Sequence, residues 1–214
     1  VSSITRLGAT PLFVDITPDS HLLSGQDVER SLAQRIENKD GRTMDFRTGL
    51  HIKAILPVHL FGQCSAMGEF LELAKKYKLH IIEDVAQACG ARMELNGKTN
   101  FAGAIGDLGC FSFFPSKTLG GFGDGGLVTT KDSALAEKLT MLRMHGESKK
   151  YYHDLPGINS RLDSLQAAIL SVKQRYLDEW CEQRIQRANR YYKLSPQTAL
   201  VAHVKLAIPP LTEN

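Results

Sequence analysis

The residues able to do chemistry in this 214-residue chain crowd into Ile81–Thr130. Asp84 ends the apolar run Leu79–Asp84 (LHIIED), where an unpartnered carboxylate is costly and asks for a cation or a set of donors. Gln87 follows it in Glu83-Asp84-Val85-Ala86-Gln87-Ala88. Ser112 lies in a second apolar run, Cys110–Phe114, and Lys117 comes just after it in Ser112-Phe113-Phe114-Pro115-Ser116-Lys117. Behind the lysine lies the glycine-dense segment Gly120–Gly126, which allows close backbone approach. A primary amine set among aromatics, a proline and glycines is a candidate to form a Schiff base with a carbonyl compound. Taken singly, each residue has a plainer role. Lys117 reads as a solvated loop residue, Asp84 as a cap or sheet-end acceptor, Gln87 as surface, and Ser112 as a buried hydroxyl bonded to backbone. Asn159, after Gly157-Ile158, reads as a turn or cap residue. Their joint spacing is what points to one site.

The elements that must position these residues follow from apolar periodicity. Strands are expected at Thr10–Ile16, Lys53–Phe61, Leu79–Asp84, Cys110–Phe114 and Gly126–Thr130. Helices are expected near Gln26–Arg35, at Ala66–Tyr77, from the cap Asp132 to about Met144, and from Asp163 to the Ser195-Pro196 break. In that last segment Leu165, Ala168, Ile169, Val172, Tyr176 and Trp180 recur at helical spacing, which predicts a buried stripe. The basic run Gln183–Arg190 reads as a solvated helix face. Strand–helix alternation predicts an α/β fold with a mostly parallel sheet, whose ligands sit beyond the carboxyl ends of its strands.

Two segments imitate nucleotide motifs. Asn96-Gly97-Lys98-Thr99 lacks the earlier glycine of a phosphate loop, because Arg92 occupies that place, and no helix is expected after it. Gly121-Phe122-Gly123-Asp124-Gly125-Gly126 leads into a strand rather than a helix, so no helix amino terminus is there to meet a pyrophosphate.

Composition sets the remaining bounds. Apolar residues make up 43% and charged residues 23%, ordinary for a globular domain, and a net charge of +3 gives no electrostatic case for nucleic acid or an anionic membrane. No stretch approaches the ~18 apolar residues of a membrane span, and no signal peptide is visible. Cys64, Cys89, Cys110 and Cys181 are widely spaced and read as reduced thiols, with no metal site, so a cytoplasmic protein is expected. His59, His145 and His153 read as structural rather than catalytic. The opening on Val1 and the stop within an apolar stretch suggest a piece of a longer protein.

Taken together, these residues resemble the DegT/StrS-type sugar aminotransferases, fold-type-I enzymes that use pyridoxal 5′-phosphate (PLP). The resemblance rests on Glu83–Ala88 with Gly90, Gly106-Asp107, Ser112-Phe113 ahead of Lys117, Gly125-Gly126, and Gly157-Ile158-Asn159-Ser160-Arg161 followed by Gln166-Ala167-Ala168. Milder echoes are Val58–Gln63, Arg143–Gly146 and Leu7–Ile16, so nearly the whole chain is covered. The resemblance implies that Lys117 holds PLP as a Schiff base and moves protons at the substrate carbon. It implies that Asp84 faces the pyridine nitrogen, Gln87 lies near the ring 3-oxygen, and Ser112 donates to the phosphate. It further implies that Asn159 reaches the partner's phosphate across a homodimer, with Arg161 nearby in a less defined role.

The implied activity is transfer of an amino group from an amino acid, L-glutamate, to a nucleotide-linked keto-sugar, in amino-sugar or cell-surface polysaccharide biosynthesis. Related dehydratases carry His in place of the lysine, so Lys117 favours transamination. A non-catalytic binding or dimerising relic of the fold is the other reading. The implied architecture is a three-layer large domain over residues 1–182. Residues 183–214 would form a linker helix and the start of a small α+β domain. Family members run to nearly twice this length, with a phosphate-binding Gly-Thr/Ser turn and a ring-stacking aromatic before the position of Val1.

Overall fold

The computed structural model describes residues 1–194. In chain order these hold α1 (Ser2–Thr5), α2 (Gly25–Ala33), β1 (Ile36–Lys39), β2 (Arg42–Asp45), β3 (Leu50–His51), β4 (Ala54–Ile55), α3 (Met67–Tyr77) and β5 (His80–Asp84). There follow β6 (Arg92–Leu95), β7 (Lys98–Phe101), β8 (Leu108–Ser112), β9 (Gly126–Thr129), α4 (Ser133–Arg143), β10 (Glu147–Lys149), β11 (Tyr152–His153), α5 (Ser164–Lys173) and α6 (Leu177–Leu194).

The sheet that carries the site has the order β4-β5-β8-β9. β4 pairs β5 in parallel and β5 pairs β8 in parallel, as the alternation of strands and helices predicts. β9 runs antiparallel to β8. The reason is the connection. Parallel pairing needs a long crossover, usually helical, and the loop Phe113–Gly125 between them holds no helix.

Helix ends follow their caps. Ser24 Oγ accepts from the Asp27 N–H ahead of α2, Asp132 accepts from Ala134 and Leu135 ahead of α4, and Asp163 accepts from Leu165 ahead of α5. Under the sheet, Val28 and Leu32 of α2 and Met67, Phe70 and Leu73 of α3 pack with Ile55, Leu79, Ile81 and Ile105. A second cluster joins Phe113, Leu119 and Leu170, tying the loop after β8 to α5.

Three expectations change. Thr10–Ile16 forms no strand; it makes only an isolated bridge from Ile16 to Leu23, and Phe13 stands exposed with no neighbouring strand to pair. Lys53–Phe61 contracts to β4 plus a bridge at Val58, because Pro57 lacks an N–H and contributes only its carbonyl, which accepts from Asp84. The helix expected from Asp163 is interrupted by a 3-10 turn at Gln174–Tyr176, giving α5 and α6. On it the predicted stripe is not buried: Leu165, Val172 and Tyr176 are at least half exposed, and Leu170 is the residue that packs inward. No described element covers that face.

α6 runs unbroken through residues 182 and 183. The Ser195-Pro196 break and the expected start of a second domain lie outside the described residues. The false phosphate loop is a hairpin turn: Asn96 and Gly97 both take positive φ between β6 and β7, where Leu95 pairs Lys98. Lys98 and Thr99 are thus strand residues.

Candidate active site

Strand geometry assembles the site's two fixed points. Asp84 and Cys110 are register partners on β5 and β8, and Ser112 lies two residues beyond Cys110. Alternation along a strand therefore places Asp84, Cys110 and Ser112 on one face, at the carboxyl ends of adjacent parallel strands. Opposite Ser112 on β9 stands Gly126, which has no side chain to fill the space. Asp84 Oδ1 accepts the Ala86 N–H at 3.0 Å, which turns the chain directly after β5. The other carboxylate oxygen has no hydrogen-bond partner among the described residues. Ser112 Oγ accepts from the Phe114 N–H at 3.3 Å, leaving its own proton to donate. Burial pushes the Cys110 thiol up, with the Asp84 and Glu83 charges adding to it, so it stays protonated between the two strands' polar groups.

Lys117 lies in the loop that leaves β8. That loop folds back on itself: the Lys117 N–H donates to the Phe114 carbonyl at 2.9 Å, and the Gly121 N–H to that of Phe113 at 2.8 Å. Gly120 allows the turn, since a Cβ there would meet the Pro115 carbonyl oxygen at 2.4 Å. The Lys117 side chain is half-buried, and its amine has no ion pair or hydrogen bond among the described residues. Two residues of α5 hold the loop from outside. Gln166 Oε1 accepts the Phe122 N–H at 2.8 Å, and Lys173 Nζ donates to the Gly120 carbonyl while lying 5.9 Å from the Phe122 ring centre.

Gln87 is exposed in the turn that follows β5. Asn159 is exposed too, on a loop whose backbone bonds run to Arg143 and His145 rather than to the β5–β8 edge. Its Oδ1 accepts from Arg161 Nε at 3.1 Å, so the Asn159 amide N–H groups point elsewhere and a guanidinium lies beside them. The structure thus brings Asp84, Ser112, Gln87 and the lysine loop to one end of the sheet and leaves Asn159 on a separate loop.

Sequence reasoning missed the role of Glu83. Its side chain and that of His59 are fully buried, 2.9 Å apart. Burial pushes the Glu83 carboxyl up, but His59 and the N–H groups of Gly103, Gly106 and Ile105 outweigh it and hold the carboxyl below its ordinary value. The signal was available: Ile81, Glu83 and Val85 alternate on the buried face of β5, which puts Glu83 inside. Gln166 and Lys173 gave a weaker one, their spacing on one helix face.

Residues 1–205 match the DegT/DnrJ/EryC1/StrS aminotransferase family. The chain is 45% identical over 192 residues to a pleiotropic regulatory protein of Geobacillus stearothermophilus, covering 90% of this chain and 46% of that protein. It is 41% identical over 189 residues to a UDP-N-acetyl-3-dehydro-alpha-D-glucosamine 3-aminotransferase of Acidithiobacillus ferrooxidans, covering 88% and 46%. Among solved structures, a DegT DnrJ EryC1 StrS aminotransferase from Brucella abortus matches with a TM-score of 0.83 at 35% identity, over 99% of this chain and 52% of that one. The chain spans about half the length of the curated relatives it matches. On sequence and fold alike, it belongs to the DegT/DnrJ/EryC1/StrS aminotransferase family.

Proposed function

We propose that the protein containing this chain is a PLP-dependent aminotransferase that moves an amino group from an amino acid, L-glutamate, to a nucleotide-linked keto-sugar. One observation carries the reading: a carboxylate oxygen without a partner, a hydroxyl free to donate and a half-buried amine without a counter-ion are carried by neighbouring strand ends and the loop that leaves them. That donor set fits PLP. A protonated pyridine nitrogen suits the free oxygen of Asp84, a phosphate suits the Ser112 hydroxyl, and an aldehyde suits the Lys117 amine.

When bound, the group supplies an electron sink for the bond electrons released at the amino-bearing carbon. The chain's own residues do the rest. Asp84 keeps the pyridine nitrogen protonated, Ser112 anchors the phosphate, and Gln87 lies in the turn nearest the ring 3-oxygen. Lys117 takes a proton from the substrate carbon and returns one, as base and then acid. Gln166 and Lys173 keep the loop that bears it in place.

The dimer belongs to the same proposal. Asn159 and Arg161 offer donors on an exposed loop suited to a partner's phosphate, and the exposed apolar side chains of α5 suit a subunit contact. We place the protein in the cytoplasm; no helix among the described residues is long and apolar enough to cross a membrane. We place the second-domain boundary near residue 182, within α6. A second reading, a non-catalytic binding module, is favoured by the regulatory name of the Geobacillus stearothermophilus relative.

Borohydride reduction in the presence of PLP, followed by peptide mapping, separates the two. A phosphopyridoxyl group on Lys117 supports the enzyme, and saturating PLP with no label on Lys117 contradicts it.

A further inference from the structure

Glu83 is the most heavily bonded side chain at the site end of the sheet, and the cofactor reading gives it no task. One of its oxygens accepts from His59 Nε2 at 2.9 Å and from the Gly103 N–H at 2.8 Å. The other accepts from the N–H groups of Ile105 at 2.8 Å and Gly106 at 2.7 Å. His59 has a defined protonation. The Ser65 N–H donates to its Nδ1 at 3.0 Å, so Nδ1 carries no proton, and Nε2 must be the donor to Glu83. The pair is therefore a neutral imidazole beside an ionised carboxylate.

Both residues also touch Asp84 through the backbone. The His59 N–H donates to the Asp84 carbonyl at 2.9 Å, and the Asp84 N–H donates to the Pro57 carbonyl at 2.9 Å. On its other side, the Val85 N–H donates to the Cys110 carbonyl at 2.8 Å. The three loop amides that Glu83 holds lie just before β8, the strand that carries Ser112. Gly103 must be glycine for this: its φ is +83°, and a Cβ would sit 2.4 Å from the Phe111 ring.

Burying an ionised carboxylate is a poor route to stability, since an apolar pair of similar volume often does as well. An apolar pair would leave three loop amides without acceptors and could not fix the loop in one place. We propose that Glu83 and His59 are positioning residues, which set the Asp84 carboxylate and the Ser112 hydroxyl at a fixed separation across β5 and β8. The proposal rests on the reading of those two groups as opposite ends of one cofactor site.

The test is site-resolved amide hydrogen exchange on the full chain without added ligand, comparing wild type with Glu83→Gln, His59→Asn and His59→Gln. Glutamine at 59 keeps an N–H directed at Glu83, and asparagine keeps only the acceptor for Ser65. In Glu83→Gln and His59→Asn, protection at His59, Asp84, Val85 and Gly103–Gly106 should fall at least about tenfold further than protection in the β1–β2 hairpin, the effect of losing one charge-assisted bond. His59→Gln should restore most of it. Should Glu83→Gln fail to fold, the contrast between the two His59 variants decides alone. An equal fall everywhere, no fall at Asp84 and Val85, or His59→Gln behaving as His59→Asn overturns the proposal. The failure of the cofactor reading is a separate result, because it shows only as absence of the borohydride label on wild-type Lys117.

Discussion

Two carboxylates adjacent in the chain live in opposite worlds. Glu83 faces the interior, with its side chain fully buried and four donors on its two oxygens. Asp84 faces the other side of the same strand with a single N–H on one oxygen. The strand's period of two sends neighbours to opposite faces, so one acid becomes framework and the next stays available. A saturated carboxylate can only hold its surroundings still. An unsaturated one, at the open end of a parallel sheet, can bind.

The sharpest way to break the contrast is to remove the amine that shares the open side with Asp84. Lys117→Ala should abolish borohydride labelling and lower amine transfer on the order of a thousandfold or more, the scale of losing a combined nucleophile and acid–base group. Its urea midpoint should stay near wild type, because the Lys117 side chain bonds nothing among the described residues. Removing the saturated acid should do the reverse. Glu83→Ala leaves His59 and three backbone amides without their acceptor, and should destabilise the fold by about 3 kcal/mol, read by urea denaturation.

The same contrast was half legible in the sequence. Asp84, Gln87, Ser112 and Lys117 could be found because spacing along two strands and a loop is preserved in the chain itself. The parallel pairing of β4, β5 and β8 followed from helices lying between strands. The reversal of β9 did not follow, since the glycine run Gly120–Gly126 signals close approach without saying which way the next strand runs. Glu83 was hidden by its company: its partners His59, Gly103, Ile105 and Gly106 lie roughly twenty residues away on either side, and no local pattern pairs them. The stripe Leu165, Val172 and Tyr176 was legible as an apolar face but not as an exposed one, because periodicity shows that a face wants covering and not what covers it.

Acidity gives a graded version of the test. The Glu83 carboxyl is held below its ordinary value of 4.5 in the folded chain. Between that lowered value and 4.5 the unfolded state binds more protons, so stability should be full above 4.5 and fall as pH drops through the folded value. Urea midpoints from pH 6 downward should show this fall in wild type and a flatter profile in Glu83→Gln. The smallest expected effect on folding lies on α5. Leu165→Glu with Val172→Glu should change the urea midpoint by no more than about 0.5 kcal/mol, as exposed positions do. If that face contacts a second subunit, sedimentation should show the double variant associating only at higher concentration.

The account stands on Asp84 and Lys117 addressing one ring, and a crystal structure of the chain grown with PLP tests it most directly. The predicted density is continuous from Lys117 Nζ into the ligand, with the pyridine nitrogen about 2.7–2.9 Å from the free oxygen of Asp84 and the phosphate at the Ser112 hydroxyl. Density joined to another lysine, or Asp84 and Lys117 opening into separate cavities with no single ring between them, would contradict it.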